Sequence, residues 1–343
     1  MVEYSNIPYI NLKAPWWDQS SVKSLSITNK LFAACSDLTI MDKDSTTAMV
    51  FNKKSASDYN VENLYTVVDN GKWTLDELEK DAKLMKMDVD GNGVYDDMDN
   101  YGLLYQRDTL PSFMSGCGGM IAEKDKDDIP YMTLTTEKNV IIINRIFDLL
   151  YDNEISFHVM KFFDPKPEGF TNGMTRMFTN NQAMFMWIRM ADVENLRAMD
   201  TDFGILPIPK YEESQEKYYH TVNPHVGTAI VVPQSAENLE RIGIIIEALS
   251  AQSRKDLIPA YYEIMLRGKI TRDNESLETL NIIFSNRVYD IGDIFNFGTI
   301  GSIFITMTMT YNRDLISTYA KNETKILSDI NKLIDQYQNI RIQ

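Results

Sequence analysis

The sequence predicts an α/β protein of two lobes. Strand-like segments rich in β-branched and aromatic residues alternate with segments of helical periodicity along the chain, and no internal repeat or low-complexity tract interrupts them. A length of 343 residues with 44% hydrophobic and 11% aromatic content is enough to fill two cores. Composition also narrows the partners. Acidic side chains number 49 against 34 basic ones, and the formal charge of -15 repels nucleic-acid phosphates and anionic lipid surfaces. Apolar runs such as Val140–Ile143 and Ile244–Ile246 are broken by Asn144 and Glu247, far too soon for a membrane span.

The elements follow in chain order. Asn11 to Trp17 reads as a loop, and Ser24–Ala33 and Thr46–Asn52 read as strands. Asn70-Gly71 marks a turn. Thr74-Leu75-Asp76-Glu77 is a capping box that opens a helix to about Met87, with Leu75, Leu78, Ala82 and Met85 as its apolar stripe. Tyr101–Tyr105 is a strand, Gly116–Gly119 a tight turn, and Asn139–Tyr151 a helix. Helical Gly173–Asn180, strand Ala183–Ile188, helical Val193–Met199 and strand Phe203–Pro207 continue the alternation. Val226–Val232 is a β-branched strand; Ala236–Ala251, Arg254–Met265, Glu275–Phe284 and Asn322–Gln338 are the remaining helices.

One motif carries metal chemistry. From Asp88 to Asp99, oxygen-bearing side chains fall at positions 1, 3, 5, 9 and 12 of a twelve-residue loop (Asp88, Asp90, Asn92, Asp96, Asp99), with Gly93 at position 6 and the Val94 carbonyl at position 7. Calcium takes six to eight hard oxygen ligands, and this spacing lets one short loop supply them. The last position is Asp99 rather than glutamate, whose reach is longer. The competing reading is an acidic turn whose aspartates accept local backbone hydrogen bonds. Because a strand follows the loop, a bound Ca2+ is expected to be structural and not to open a groove between paired helices.

No catalytic residue is assigned. His158, His220 and His225 stand in no HExxH pair and beside no GxSxG elbow, and Gly116, Gly118 and Gly119 fit neither a P-loop nor a dinucleotide fingerprint. Cys35 and Cys117 are expected to be two free thiols.

Several segments, in this order, resemble the extracellular solute-binding proteins of family 1, the maltose-type components of ABC importers. They are Thr47-Ala48-Met49-Val50-Phe51-Asn52-Lys53-Lys54, Gly71-Lys72-Trp73-Thr74-Leu75-Asp76-Glu77-Leu78, Asp99-Asn100-Tyr101-Gly102-Leu103, Phe178 to Met184, Phe203 to Lys210, and Gly227 to Asn238. The resemblance runs from about Ser24 to the C-terminus. It implies a two-lobed periplasmic-binding-protein-like fold of type II, with lobe 1 (1–50 and 226–285) incomplete because the chain starts well into it, and lobe 2 formed by 51–225 and 286–343. The N-terminus, Met1-Val2-Glu3-Tyr4-Ser5-Asn6, has no export signal, so the chain is expected to be an N-terminally truncated form of an extracytoplasmic, cell-surface or periplasmic lipoprotein.

By that resemblance the protein is not an enzyme. It captures a carbohydrate, expected to be an oligosaccharide, by hinge closure, and hands it to ABC permease subunits as a monomer. The implied cleft puts Trp187 forward as the stacking platform, Trp16 and Trp17 as a second one, and Gln106, Arg107, Asn223 and His225 as hydrogen-bonding groups. The alternative is a calcium-stabilised carbohydrate-active or interaction protein without a transport role.

Overall fold

A computed structural model describes residues 1–162, 169–263, 266 and 273–339. Its main sheet has five strands in the order β5-β2-β6-β1-β7, where β1 is Thr47–Asn52, β2 Tyr101–Tyr105, β5 Ser156–His158, β6 Ala183–Arg189 and β7 Phe203–Leu206, while β3 (Ala122–Lys124) and β4 (Pro130–Met132) pair antiparallel by themselves. Strands β5, β2 and β6 run parallel, and β1 lies antiparallel between β6 and β7. All residues of β1, β2 and β7 are buried, as expected of a sheet covered on both faces.

Strand alternation sorts the two layers. Met49, Phe51, Phe185 and Trp187 face a core shared with the helices Leu75–Ala82, Glu137–Leu150 and Leu315–Asn339, among others. Ala48, Val50, Met186 and Ile188 face a second core under the helices Phe170–Thr179 and Asn274–Ser285. The latter helix also seals the edge strand β7. Its Ser276 hydroxyl accepts from the Ile205 N–H at 3.2 Å, and its Thr279 hydroxyl donates to the Ile205 carbonyl at 2.8 Å. The sequence reading put this helix with the first lobe; here it packs on the sheet of the second.

The N-terminal unit is smaller. Tyr4, Ile7, Trp17, Leu25, Leu31 and Val232 form its core, with Ile242 and Ile246 of the helix Leu239–Lys255 against it. Among the described residues this unit has isolated bridges such as Ala34 to Ile230, and no multi-stranded sheet. Three chain passages join the units side by side: Thr46-Thr47 entering β1, β8 (His220–Thr221) and β9 (Arg287–Val288). Thr46 bridges Val222, and β8 pairs with β9 in parallel. The Thr47 hydroxyl lies 3.1 Å from that of Thr221 and accepts from Ser112 at 2.9 Å.

Several expected elements differ. Ser24–Ala33 is not a strand: a helix, Gln19–Leu25, capped by Asp18, precedes a tight turn in which Thr28 and Asn29 adopt positive φ (53° and 60°) and Ile27 bridges Lys30. Short polar residues that satisfy their own backbone favour such turns over pairing. Of Val226–Val232 only Ile230 makes a bridge, to Ala34, while the Val232 carbonyl accepts from the Val2 N–H at 2.7 Å. The segment expected as helix Val193–Met199 is a 3₁₀ turn, Met190–Leu196. The expected helix Arg254–Met265 breaks after Lys255, and its positions 264 and 265 lie outside the described residues. The last helix starts seven residues before the expected Asn322, at Leu315. Cys35 and Cys117 are free, buried and in separate cores.

Candidate functional site

The parallel strands β5, β2 and β6 end toward the crossing passages, and in open α/β sheets the crevice outside such carboxyl ends is where ligands bind. Past β2 the chain turns through Gln106-Arg107-Asp108 into the helix Thr109–Gly116; the Thr109 hydroxyl fixes the turn by accepting from the Gln106 N–H at 3.1 Å. Past β8, the Asn223 N–H donates to the Ser45 carbonyl at 2.9 Å. Its side-chain amide reaches the Asp108 carboxylate at 3.2 Å, and its Oδ1 accepts from the His225 N–H at 2.9 Å. Arg107, Asp108, Asn223, His225 and Asp293 thus meet in one polar crevice of about 20 Å³. Burial, then the like charges of Asp290 and Asp108, push the Asp293 carboxyl up to about 7.

Three expected ligand contacts, Arg107, Asn223 and His225, are therefore brought together. The others are not. Gln106 is 3% exposed and belongs to the turn's interior. Trp187 is fully buried: paired with Met49 across the sheet and turned into the core, it offers no face to a ligand. This corrects the expected stacking platform. Trp16 and Trp17 share one anchor, donating their indole N–H groups to the two Glu247 oxygens at 3.0 and 3.1 Å. Trp17 lines a different cavity, taken up below. Asp108 and Asp293 were missed by the sequence reading, because nothing marks one turn acid and one acid of the short helix Ile291–Ile294 among 49.

His158 stacks on Tyr105 at 4.8 Å, while His220 is buried with Nδ1 3.0 Å from the Thr47 carbonyl. They serve packing and the crossing strands.

In the acidic loop, carboxylate oxygens of Asp88, Asp90 and Asp99 lie within 4.8 Å of one another. Asp99 is buried and accepts from the Val89 and Asp96 N–H groups, both at 2.8 Å; the Gly91 and Gly93 N–H groups, at 2.8 and 2.7 Å, orient Asp88. The Gly93 N–H is the main cause that holds the Asp88 carboxyl below the usual carboxylate range. Gly93 sits at φ +77°, the left-handed turn that glycine allows without penalty. Asp96 turns to the Met98 N–H and Asn92 to the Val94 N–H, at 2.8 and 2.6 Å. All five side chains, Asp90 included through Asn92, accept hydrogen bonds from within the loop, and three of them, Asp88, Asp90 and Asp99, also converge as a hard oxygen donor set that a cation could use. An ion pair of 2.9 Å from Asp97 to Arg176 anchors the loop to the helix Phe170–Thr179.

This architecture is shared with solved structures. UspC of Mycobacterium tuberculosis aligns over 94% of this chain and 81% of its own, with a TM-score of 0.60 and 14% identity. UgpB of the same organism, in complex with glycerophosphocholine, aligns over 93% and 75% (TM-score 0.58, 12% identity). The ABC substrate-binding protein of Listeria monocytogenes in complex with cycloalternan aligns over 95% and 76% (TM-score 0.54, 11% identity). Many ABC sugar-binding proteins are among such neighbours, and the chain has the mixed α/β, two-lobed fold of periplasmic binding proteins. No known family's sequence profile matches the chain, and no curated protein sequence does. No helix among the described residues is long and apolar enough to cross a membrane.

Proposed function

We propose that the chain is the solute-capturing component of an ABC importer, working outside the cytoplasm as a monomer, and that it holds a carbohydrate between its two units without turning it over. One observation supports this above the rest: a binding-protein fold runs through nearly the whole chain, and its strand ends deliver a cation, carboxylates and an amide to one crevice beside the crossing strands. Arg107 and Asn223 donate to hydroxyl oxygens, Asp108 accepts from hydroxyl hydrogens, and charge-assisted bonds of this kind are the stronger ones. A volume of about 20 Å³ holds a water and no sugar ring, so admission requires the units to part about the crossing strands and retention requires them to close. Such a protein delivers its cargo to permease subunits.

Thermal unfolding with a panel of mono- and oligosaccharides tests the reading. At least one sugar should raise the midpoint and be recovered unchanged. Arg107→Ala and Asp108→Asn should each weaken its binding about tenfold or more, as expected when a charge-assisted bond worth about 1.5–3 kcal/mol is lost. A sugar-induced shift indifferent to both substitutions, or hydrolysis of the sugar, would sink it.

We further infer that the loop from Asp88 to Asp99 takes a structural Ca2+, with Asp88, Asp90 and Asp99 as the ligands that converge and Asn92, the Val94 carbonyl and Asp96 completing the shell. The ion would offset the repulsion of neighbouring carboxylates and pin the connection into β2. A midpoint that rises with calcium and returns on chelation supports this; one that ignores calcium refutes it.

A further inference from the structure

A cavity of about 780 Å³, within the roughly 300–1,000 Å³ usual for small-molecule sites, lies between the N-terminal unit and the wall made by Tyr262, Phe284 and Arg287. It shares no lining residue with the crevice at the strand ends. Its polar lining is one continuous chain of alternating charge. The Arg287 guanidinium bonds the Asp18 carboxylate and lies 3.2 Å from Asp42; Lys43 Nζ sits 3.2 Å from Asp42 and 3.3 Å from Asp37; Arg254 reaches the other Asp37 oxygen at 3.1 Å. Three carboxylates therefore meet three cations, and all but Arg254 are nearly buried, with side chains 11% exposed or less.

Charge balance fixes what such a wall can receive. Every charge already has a counter-charge, so an anion or a cation entering the cavity would lose its water and gain no unpaired partner. The hydrogen-bonding capacity is not used up. A guanidinium carries five N–H donors and a carboxylate about four lone-pair sites, whereas Arg254 makes one contact with Asp37 in this network. Donors and acceptors alternating along one wall match neighbouring hydroxyls, each of which both donates and accepts. Tyr262, half-buried on the cavity wall, supplies apolar surface for C–H groups, while Trp17 and Phe284, 2% and 7% exposed, border the cavity from within their cores; the Trp17 ring is held in place by its bond to Glu247.

We propose that this cavity is a second binding site, for a neutral polyhydroxylated ligand of mono- or disaccharide size, separate from the crevice assigned to capture. Arg254 and Asp37 supply its donor and acceptor, and Tyr262 covers the ligand's apolar face. Because Arg287 lies on β9, the occupant rests against one of the three crossing passages.

The test is a titration of the full chain, labelled with fluorotryptophan, against glucose, maltose, gluconate and glucosamine, followed by fluorine resonances. Trp17→Phe assigns the Trp17 signal. Glucose or maltose is expected to shift that signal, with gluconate and glucosamine at least tenfold weaker. Arg254→Ala, at a half-exposed side chain, should weaken binding tenfold or more. Asn281→Trp, from an exposed helix position on the cavity wall, should abolish it, while Arg107→Ala leaves it unchanged. The proposal falls if neither neutral sugar moves the Trp17 signal, if gluconate or glucosamine binds as tightly, or if Asn281→Trp changes nothing. A shift abolished by Arg107→Ala but not by Asn281→Trp overturns this second site and leaves the capture reading standing. The reverse pattern supports the second site, and a sugar-induced midpoint shift indifferent to Arg107→Ala counts against capture alone.

Discussion

Acidification should strain the crossing strands through a single histidine. His220 lies on β8 with no exposed surface; its Nδ1 donates to the Thr47 carbonyl at 3.0 Å, and its Nε2 has no hydrogen-bond partner among the described residues. Burial drives its pKa from 6.5 down to about 3, and the Thr47 carbonyl offsets only part of that. The unfolded chain, with an ordinary histidine, takes up the proton near pH 6.5, whereas the folded one resists until about pH 3. Stability is therefore unaffected above pH 7 and falls as the pH drops through this window, by up to about 1.4 kcal/mol per unit. By pH 5 the loss is about 2 kcal/mol. Asp290 and Asp293, raised to about 6 and about 7 chiefly by burial, act in the opposite direction over the same range, so the wild-type profile alone will look flatter. The substitution His220→Asn isolates the effect, since the amide still donates to Thr47 but does not titrate. Urea unfolding of both proteins at pH 8 and pH 5 should show the wild type losing about 2 kcal/mol relative to the variant. A difference constant to within about 0.5 kcal/mol would refute the assignment.

Three further outcomes follow from the packing and the loop. Gly102→Ala places a methyl against the Ala82 backbone and should cost about 1–3 kcal/mol in denaturant unfolding, with no change in sugar affinity of the folded protein. Trp187→Ala empties a fully buried site and should cost about 3–5 kcal/mol while sparing sugar binding, which calorimetry on the folded fraction would check. Asp99→Asn should remove most of the calcium-induced rise in unfolding midpoint, because the buried carboxylate both shapes the loop and offers its charge to the ion.

Much of the larger unit was legible in the sequence because its strands are apolar runs bounded by turn residues: Thr47–Asn52, Tyr101–Tyr105, Ala183–Arg189 and Phe203–Leu206 lie within a residue of their expected limits. The same property hid the role of Trp187. A strand buried on both faces has no polar phase to say which side chains reach a surface. The N-terminal unit was read less well, since Thr28 and Asn29 form a local turn where β-branched composition suggests pairing. Arg107, Asn223 and His225 were expected near strand ends and share one crevice, where Asp108, the neighbour of Arg107, went unremarked and Asp293 joins only through tertiary structure. The chain of charges in the larger cavity was out of reach altogether, because Asp18 and Arg287 come from opposite ends of the sequence.

The place of β1 in the sheet also sets an order of assembly. Among the described residues its strand neighbours are β6 and β7, made more than a hundred residues after it, and Ala34 waits longer still for Ile230. Until then Thr47–Asn52 is an apolar ribbon with both edges bare, the kind of segment that pairs with other chains. The parallel pairing of β2 with β5 and β6 cannot enclose it either, so closure of the sheet is a late, long-range event of the sort that folds slowly. A nascent chain of this design has reason to stay bound to a holding factor until residue 206 and the strand it ends are available.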